Sequence, residues 1–212
     1  MTTFGNFRVA GEQLEKGLVG HGVKVGTTRE LTNVFYGVTQ PSLKDLSPHL
    51  PWADTEFEER VSGNLGFSHN PGEAWKLQRE VWEPMLEEHK DQYGLIYRSF
   101  SYTYSHRMSY QISNVLEELR NNPDSREALI MVWDAGTDST RLGRRRVPCT
   151  IGYQFLIRDR ELHMTYLQRS CNFYKHYQDD VYLARRLQEW VAERLQVPSG
   201  PFCHWIGSFH IY

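Results

Sequence analysis

GYQFLIRDRELHMTYLQR, residues 152–169, decides the fold. Two apolar runs flank a charged turn at Arg158 to Glu161, which predicts two adjacent strands. Downstream, VYLARRLQEWVAERL (181–195) predicts a long helix, because Ala184, Leu187, Val191 and Leu195 keep one face apolar. PFCHWIGSFHIY (201–212) then closes as a strand. Upstream, ALIMVWD (128–134) reads as a buried strand after an NNPDS turn. The preceding YQISNVLEELRNN (110–122) predicts a helix with Ile112, Val115, Leu116 and Leu119 on one stripe. EAWKLQREVWEPMLEEH (73–89) predicts partial helix interrupted at Pro84. The first seventy residues are rich in Gly, Pro, Thr and Ser and predict one strand, at 31–38. Strands and helices in this irregular order imply an α+β fold, with a mixed or largely antiparallel sheet backed by helices.

The 212-residue chain is long enough for one domain with a substantial core, and its 40% hydrophobic content argues against disorder. A formal net charge of −2 gives no electrostatic reason to expect polymeric nucleic acid or a membrane surface. Cys149, Cys171 and Cys203 are widely spaced and form no CxxC pair, so neither a disulfide framework nor a metal site is expected. The amino terminus lacks the continuous apolar core of a signal peptide, and a soluble, cytoplasmic protein is the expectation.

RRRVPCT (144–150) places Cys149 just after three arginines, and nearby positive charge favours a thiolate. Taken alone, that pattern also fits an inert thiol beside a solvated basic loop. The surroundings are more specific. VPCTIGYQF, followed after the hairpin by QRSCNFYKHYQDD (168–180), resembles the thymidylate synthase family: a cysteine after proline, a glutamine five residues on, and a later Gln-Arg-Ser motif. Cys149, Gln154, Gln168, Arg169 and Ser170 fit this spacing. NPDSRE (122–127) resembles the family's Pro-Asp-Ser-Arg-Arg turn, and GSFHIY (207–212) its His-x-Tyr strand.

The resemblance implies a homodimer joined through a sheet face, with 5,10-methylenetetrahydrofolate as one-carbon donor and a pyrimidine nucleoside monophosphate as substrate. It makes Cys149 the nucleophile that adds to ring carbon 6 and activates carbon 5. It assigns Arg169 to the nucleotide phosphate and to lowering the thiol pKa, with Gln168 and Ser170 also holding substrate. His210 and Tyr212 resemble the pair that binds the sugar 3′-hydroxyl. Lys24 or Arg29, in HGVKVGTTRE (21–30), resembles a phosphate-clamping loop. Glu56 resembles the glutamate that organises water, with Glu58 and Glu59 as alternatives. On the folate side stand Trp75 or Trp82, Tyr93 in DQYG (91–94), and Asn172.

Two aspartates close the motif, and Asp179 reads as a cap for the helix that follows. Asp180, twelve residues after Gln168, occupies a position where thymidylate synthases carry a uracil-binding asparagine. Cytosine presents an acceptor at ring nitrogen 3 and a donor amine. A carboxylic acid can donate to the first and accept from the second. Aspartate here, with Thr150 after the cysteine, resembles the cytidylate hydroxymethylases of phages and nucleoside-antibiotic pathways, which act on CMP or dCMP. An ordinary methylating synthase and a nucleotide-binding module without turnover are the alternatives. There are three departures from the family pattern. The paired arginines lent across the dimer are here Arg126 and Glu127. Asn172 replaces an aspartate and His176 a glycine. The sequence stops at Tyr212, where relatives continue into a closing segment, so the expectation is a single catalytic domain over 1–212 without that segment.

Overall fold

A computed structural model describes residues 1–63, 72–141 and 146–212. Within the basic run, Arg144 and Arg145 therefore lie outside the described residues. In chain order the elements are β1 (Thr2–Phe4), α1 (Phe7–His21), β2 (Val23–Val25), β3 (Thr28–Val38) and α2 (Trp52–Ser62). The short helices α3 (Ala74–Leu77) and α4 (Arg79–Trp82) lead to the strands β4 (Glu87–Lys90) and β5 (Ile96–Ser99). Next come α5 (Tyr104–Asn121), β6 (Leu129–Met131) and α6 (Ala135–Asp138). The chain closes with β7 (Thr150–Arg158), β8 (Glu161–Asn172), α7 (Tyr177–Leu195) and β9 (Ser199–Ile211).

The fold is α+β, as expected. One sheet runs β1-β3-β9-β8-β7-β6, with β2 added to β3. Its pairing is mixed: β8 and β9 are parallel, as are β1 and β3, while β3–β9, β7–β8 and β6–β7 are antiparallel. The opening hairpin is β7–β8, turned at Asp159 and Arg160, whose φ values of 51° and 65° match the twist that a two-residue hairpin needs.

Strict alternation then sorts the side chains. Leu162, Met164, Tyr166 and Gln168 of β8, with Phe202, His204 and Ile206 of β9, point into the buried layer with α1, α5 and α7. The opposite face, including Phe35, Leu156, Leu167 and Trp205, stays partly open. Gly152 permits β7 to approach β6, since a Cβ there would lie 2.5 Å from the Ile130 carbonyl oxygen.

The amino-terminal third holds more than the single strand expected. Three glycines hid α1, yet Phe7, Ala10, Leu14 and Leu18 form its buried stripe and Asn6 accepts from the Val9 amide at 2.9 Å. Asn6→Ala is expected to destabilise the protein by about 1 kcal/mol, read as a lower urea midpoint with an unchanged slope. Between 73 and 90, helix is limited to two single turns, and a 3-10 turn at Glu83–Met85 contains Pro84 before β4 begins.

Candidate active site

The site is assembled where β7 begins beside β8. Cys149 lies one residue before β7, and its carbonyl accepts from the Arg169 amide at 2.8 Å. The Arg169 guanidinium is anchored by Nε to the Pro148 carbonyl (2.7 Å) and by Nη2 to that of Val147 (3.2 Å). Its Nη2 lies 3.9 Å from the Cys149 Sγ. Cys149 is exposed, yet enough protein crowds its thiol that burial is the largest influence and pushes its pKa up. The charge of Asp180 acts in the same direction, and Arg169 and Arg146 oppose both. Against the bias toward thiolate expected from the basic run, burial and the Asp180 charge outweigh Arg169 and Arg146, the two cations described beside the thiol.

Asp180 sits in the first turn of α7, its amide donating to the His176 carbonyl. Its Oδ2 accepts from Gln168 Nε2 at 2.6 Å and lies 3.9 Å from the buried Cys171 thiol. Burial raises the Asp180 pKa. The Gln168 hydrogen bond, His176 and Arg60 pull the other way, and Asp179 adds to the rise. Asp179 is not the helix cap expected: it accepts from the His49 amide (2.7 Å) and pairs with His49 Nδ1 (2.8 Å), tying the loop before α2 to α7. His176 stands at the cap position without a side-chain capping bond.

Their partners separate the three candidate glutamates. Glu58 is at the surface, 3.2 Å from Arg186 Nη2. Glu59 holds the backbone amides of Glu73 and Ala74 at the start of α3. Glu56 accepts from Arg60 Nε at 2.8 Å, and the buried Arg60 guanidinium stacks 4.1 Å above the Tyr104 ring. Tyr104 in turn donates to Thr150 Oγ1 at 3.2 Å, and Thr150 lies 2.8 Å from the Tyr166 hydroxyl. Glu56 is thus the candidate linked to the cysteine's own strand.

Of the two tryptophans, Trp82 carries Arg146 5.0 Å above its ring, three residues before Cys149, and stacks on Trp52. Trp75 packs instead beneath Arg79. Both indole Nε1 atoms are buried without a hydrogen-bond partner among the described residues. Tyr93 is 86% exposed at the β4–β5 turn, and no described contact ties it to the cysteine cluster. Asn172 is buried and uses its side-chain oxygen locally, accepting from the Lys175 amide at 3.0 Å.

At the same end of β8, Ser170 is opposite Ser208 and Asn172 opposite His210. His210 Nδ1 is buried without a partner among the described residues, while Tyr212 is exposed, its ring 5.7 Å from Lys175 Nζ. Arg29 is committed to the end of α1, donating to the Val19 and Gly22 carbonyls. Lys24, on β2, is exposed. Arg126 and Glu127 are exposed, and Gln154 holds the Arg126 carbonyl at 3.2 Å rather than facing Cys149. Sequence reasoning missed Arg60, Tyr104, Tyr36, His204 and Tyr177, which support the carboxylates from inside the core. Among the described residues, no cluster could hold a metal ion, and no helix is long and apolar enough to cross a membrane.

Cys149, the anchored Arg169 and the glutamine-held Asp180 thus come together where β7 begins beside β8. The family model for thymidylate synthase matches residues 42–212, and the chain belongs to the thymidylate synthase family. It is 36% identical over 147 residues to a protein of Methanosarcina mazei described as "Putative thymidylate synthase", covering 66% of this chain and 64% of that one. A protein of the same description from Methanocaldococcus jannaschii is 28% identical over 187 residues, covering 87% and 76%. Among solved structures, thermostable thymidylate synthase A from Bacillus subtilis superposes with a TM-score of 0.72 at 19% identity, covering 97% of this chain and 80% of that chain.

Proposed function

We propose that the chain transfers a one-carbon unit to carbon 5 of a cytosine nucleotide, CMP or dCMP, giving the 5-hydroxymethyl product. The observation that carries this reading is Asp180: a buried carboxyl whose proton is retained to higher pH, beside the candidate nucleophile. Its Oδ2 accepts from Gln168, and the remaining oxygen can meet the base edge that cytosine presents. Cys149 adds to ring carbon 6, making carbon 5 nucleophilic, and is released when the product forms. Arg169 binds the phosphate, with Ser170, Lys24 and, from a partner copy, Arg126. His210 offers its unpartnered Nδ1 to the sugar 3′-hydroxyl, beside Tyr212.

Methylenetetrahydrofolate, when bound, supplies the one-carbon unit. Trp82 is the residue best suited to its ring system, because its buried Nε1 lacks a partner and its ring borders Arg146 of the cysteine loop. Tyr93, exposed at the β4–β5 turn, and Asn172, which accepts from the Lys175 amide, are the further candidates for this role. Glu56, fixed by Arg60, orients the water that completes hydroxymethylation. The partly open sheet face with Phe35, Leu167 and Trp205 supports a homodimer through that surface.

The test is mass spectrometry of products from CMP, dCMP, UMP and dUMP, each incubated with formaldehyde and tetrahydrofolate. The expected result is a hydroxymethyl adduct on a cytosine nucleotide with tetrahydrofolate regenerated. A methyl product on a uracil nucleotide, with dihydrofolate formed, would overturn the assignment.

A further inference from the structure

Behind Asp180 a chain of hydrogen bonds runs into the core. Gln168 Nε2 donates to Asp180 Oδ2 at 2.6 Å, and Gln168 Oε1 lies 3.0 Å from His204 Nε2. His204 Nδ1 lies 3.0 Å from the Tyr36 hydroxyl, itself 3.0 Å from the Tyr177 hydroxyl. Gln168, His204, Tyr36 and Tyr177 are all at most 1% exposed, so bulk water does not reach them. The four come from β8, β9, β3 and α7, and the chain therefore crosses the whole buried layer.

Proton bookkeeping fixes the direction of every bond. The Tyr177 hydroxyl has Tyr36 as its described partner, so its proton is satisfied only if it donates there. Tyr36, accepting from Tyr177, must then donate to His204 Nδ1. A neutral imidazole that accepts at Nδ1 carries its hydrogen at Nε2, and that hydrogen meets Gln168 Oε1. The amide is thereby oriented with its NH2 toward Asp180. The reverse chain would strand the Tyr177 proton in an apolar core and would turn the Gln168 carbonyl toward a carboxyl oxygen.

We propose that His204, locked in its Nε2–H tautomer by Tyr36 and Tyr177, is a specificity-determining positioning residue that fixes which oxygen of Asp180 can carry a proton toward the base. With Oδ2 occupied as an acceptor from Gln168, the proton belongs on Oδ1. Cytosine ring nitrogen 3 is then placed beside Oδ1 and its amine beside Oδ2. This consequence rests on the base-reading role of Asp180; the tautomer does not. The titratable groups facing His204 are Tyr36 from β3 and Tyr166 from β8, whose ring stacks at 4.4 Å, and burial lowers the His204 pKa to about 3. Asp180 is faced by Arg60 from α2, Cys171 from β8, and His176 and Asp179 near its own helix start.

The test uses the full chain labelled with 15N-histidine, in wild type and Tyr36→Phe, with His204→Phe serving to assign the signal. Wild type is expected to show a protonated Nε2 and a bare Nδ1 from pH 5 to 9, and Tyr36→Phe a mixture of tautomers. In parallel, calorimetry measures the affinities for CMP and UMP, which requires no turnover. Tyr36→Phe is expected to reduce the preference for CMP over UMP about tenfold, the worth of one buried hydrogen bond, while thermal melting confirms a folded variant. An Nδ1–H tautomer in wild type overturns the relay. Wild-type preference for CMP that survives Tyr36→Phe unchanged overturns the specificity role and leaves the proposed function standing. Equal binding of CMP and UMP by wild type, with the Nε2–H tautomer present, defeats the base reading and the specificity role together.

Discussion

Asp180→Asn is expected to move the base preference from cytosine to uracil by roughly 10⁴-fold in the ratio of kcat/KM values, because a site built around a substrate's hydrogen bonds rejects the mismatched partner on this scale. The carboxyl is buried and its pKa is raised chiefly by that burial, so a proton is available for cytosine ring nitrogen 3 at higher pH than an exposed aspartate would allow. Asparagine removes the proton donor on that side. Uracil is read with the amide oxygen at the Oδ1 position, beside ring nitrogen 3, and the new NH2 at the Oδ2 position, which requires Gln168 to turn its own oxygen toward that NH2. That NH2 matches the carbonyl oxygen at carbon 4 of uracil, and its neighbouring oxygen accepts from ring nitrogen 3. Product mass spectrometry with CMP, dCMP, UMP and dUMP measures the ratio. A variant that loses turnover on every base equally would assign Asp180 to chemistry or folding rather than to reading.

The parts of the fold that were legible in the sequence are those whose stabilising contacts repeat along one element. The β7–β8 hairpin declares itself through alternation and the charged pair at Asp159 and Arg160, and α5 and α7 through apolar stripes that the core then buries. In α1, Gly11, Gly17 and Gly20 lower helix propensity, and packing of Phe7, Leu14 and Leu18 overrides it. The β4–β5 hairpin was invisible because its strands, EEHK and IYRS, leave most residues exposed and show little apolar alternation. The site divides in the same way. Cys149, Gln168, Arg169 and Asp180 stand in one recognisable order, and the structure groups them. The support behind them could not be read locally, since Tyr36 meets His204 and Tyr177 only once β3, β9 and α7 have packed. Glu56 could be told from Glu58 and Glu59 only through the partner each one finds, here the buried Arg60.

Cys149 illustrates the same limit and yields the second large effect. The sequence shows three nearby cations; folding adds burial and the Asp180 carboxylate, and together these push the thiol pKa up. Alkylation by iodoacetamide, which consumes thiolate, is therefore expected to be slow at neutral pH and to rise only above the range of an ordinary exposed thiol. A negative carboxylate disfavours a second negative charge, so Asp180→Asn should move the rate profile to lower pH and raise the neutral-pH rate several-fold. Arg169→Gln should move it to higher pH, because it removes a cation 3.9 Å from Sγ. Cys171 and Cys203, whose pKa values burial also raises, should react more slowly still, and peptide mapping after labelling separates the three. Cys149→Ser should abolish both the label at this position and all product formation, since a hydroxyl beside the same groups supplies no comparable nucleophile. A resting thiol held protonated and activated only when substrate arrives spares an exposed cysteine from oxidation between turnovers. Under this arrangement, a proton shared between Asp180 and cytosine ring nitrogen 3 would neutralise the negative charge that holds the thiol protonated. Alkylation protected by CMP but not by UMP would tie the base-reading carboxyl to the nucleophile in a single site, whereas labelling indifferent to both nucleotides would separate Cys149 from the substrate altogether.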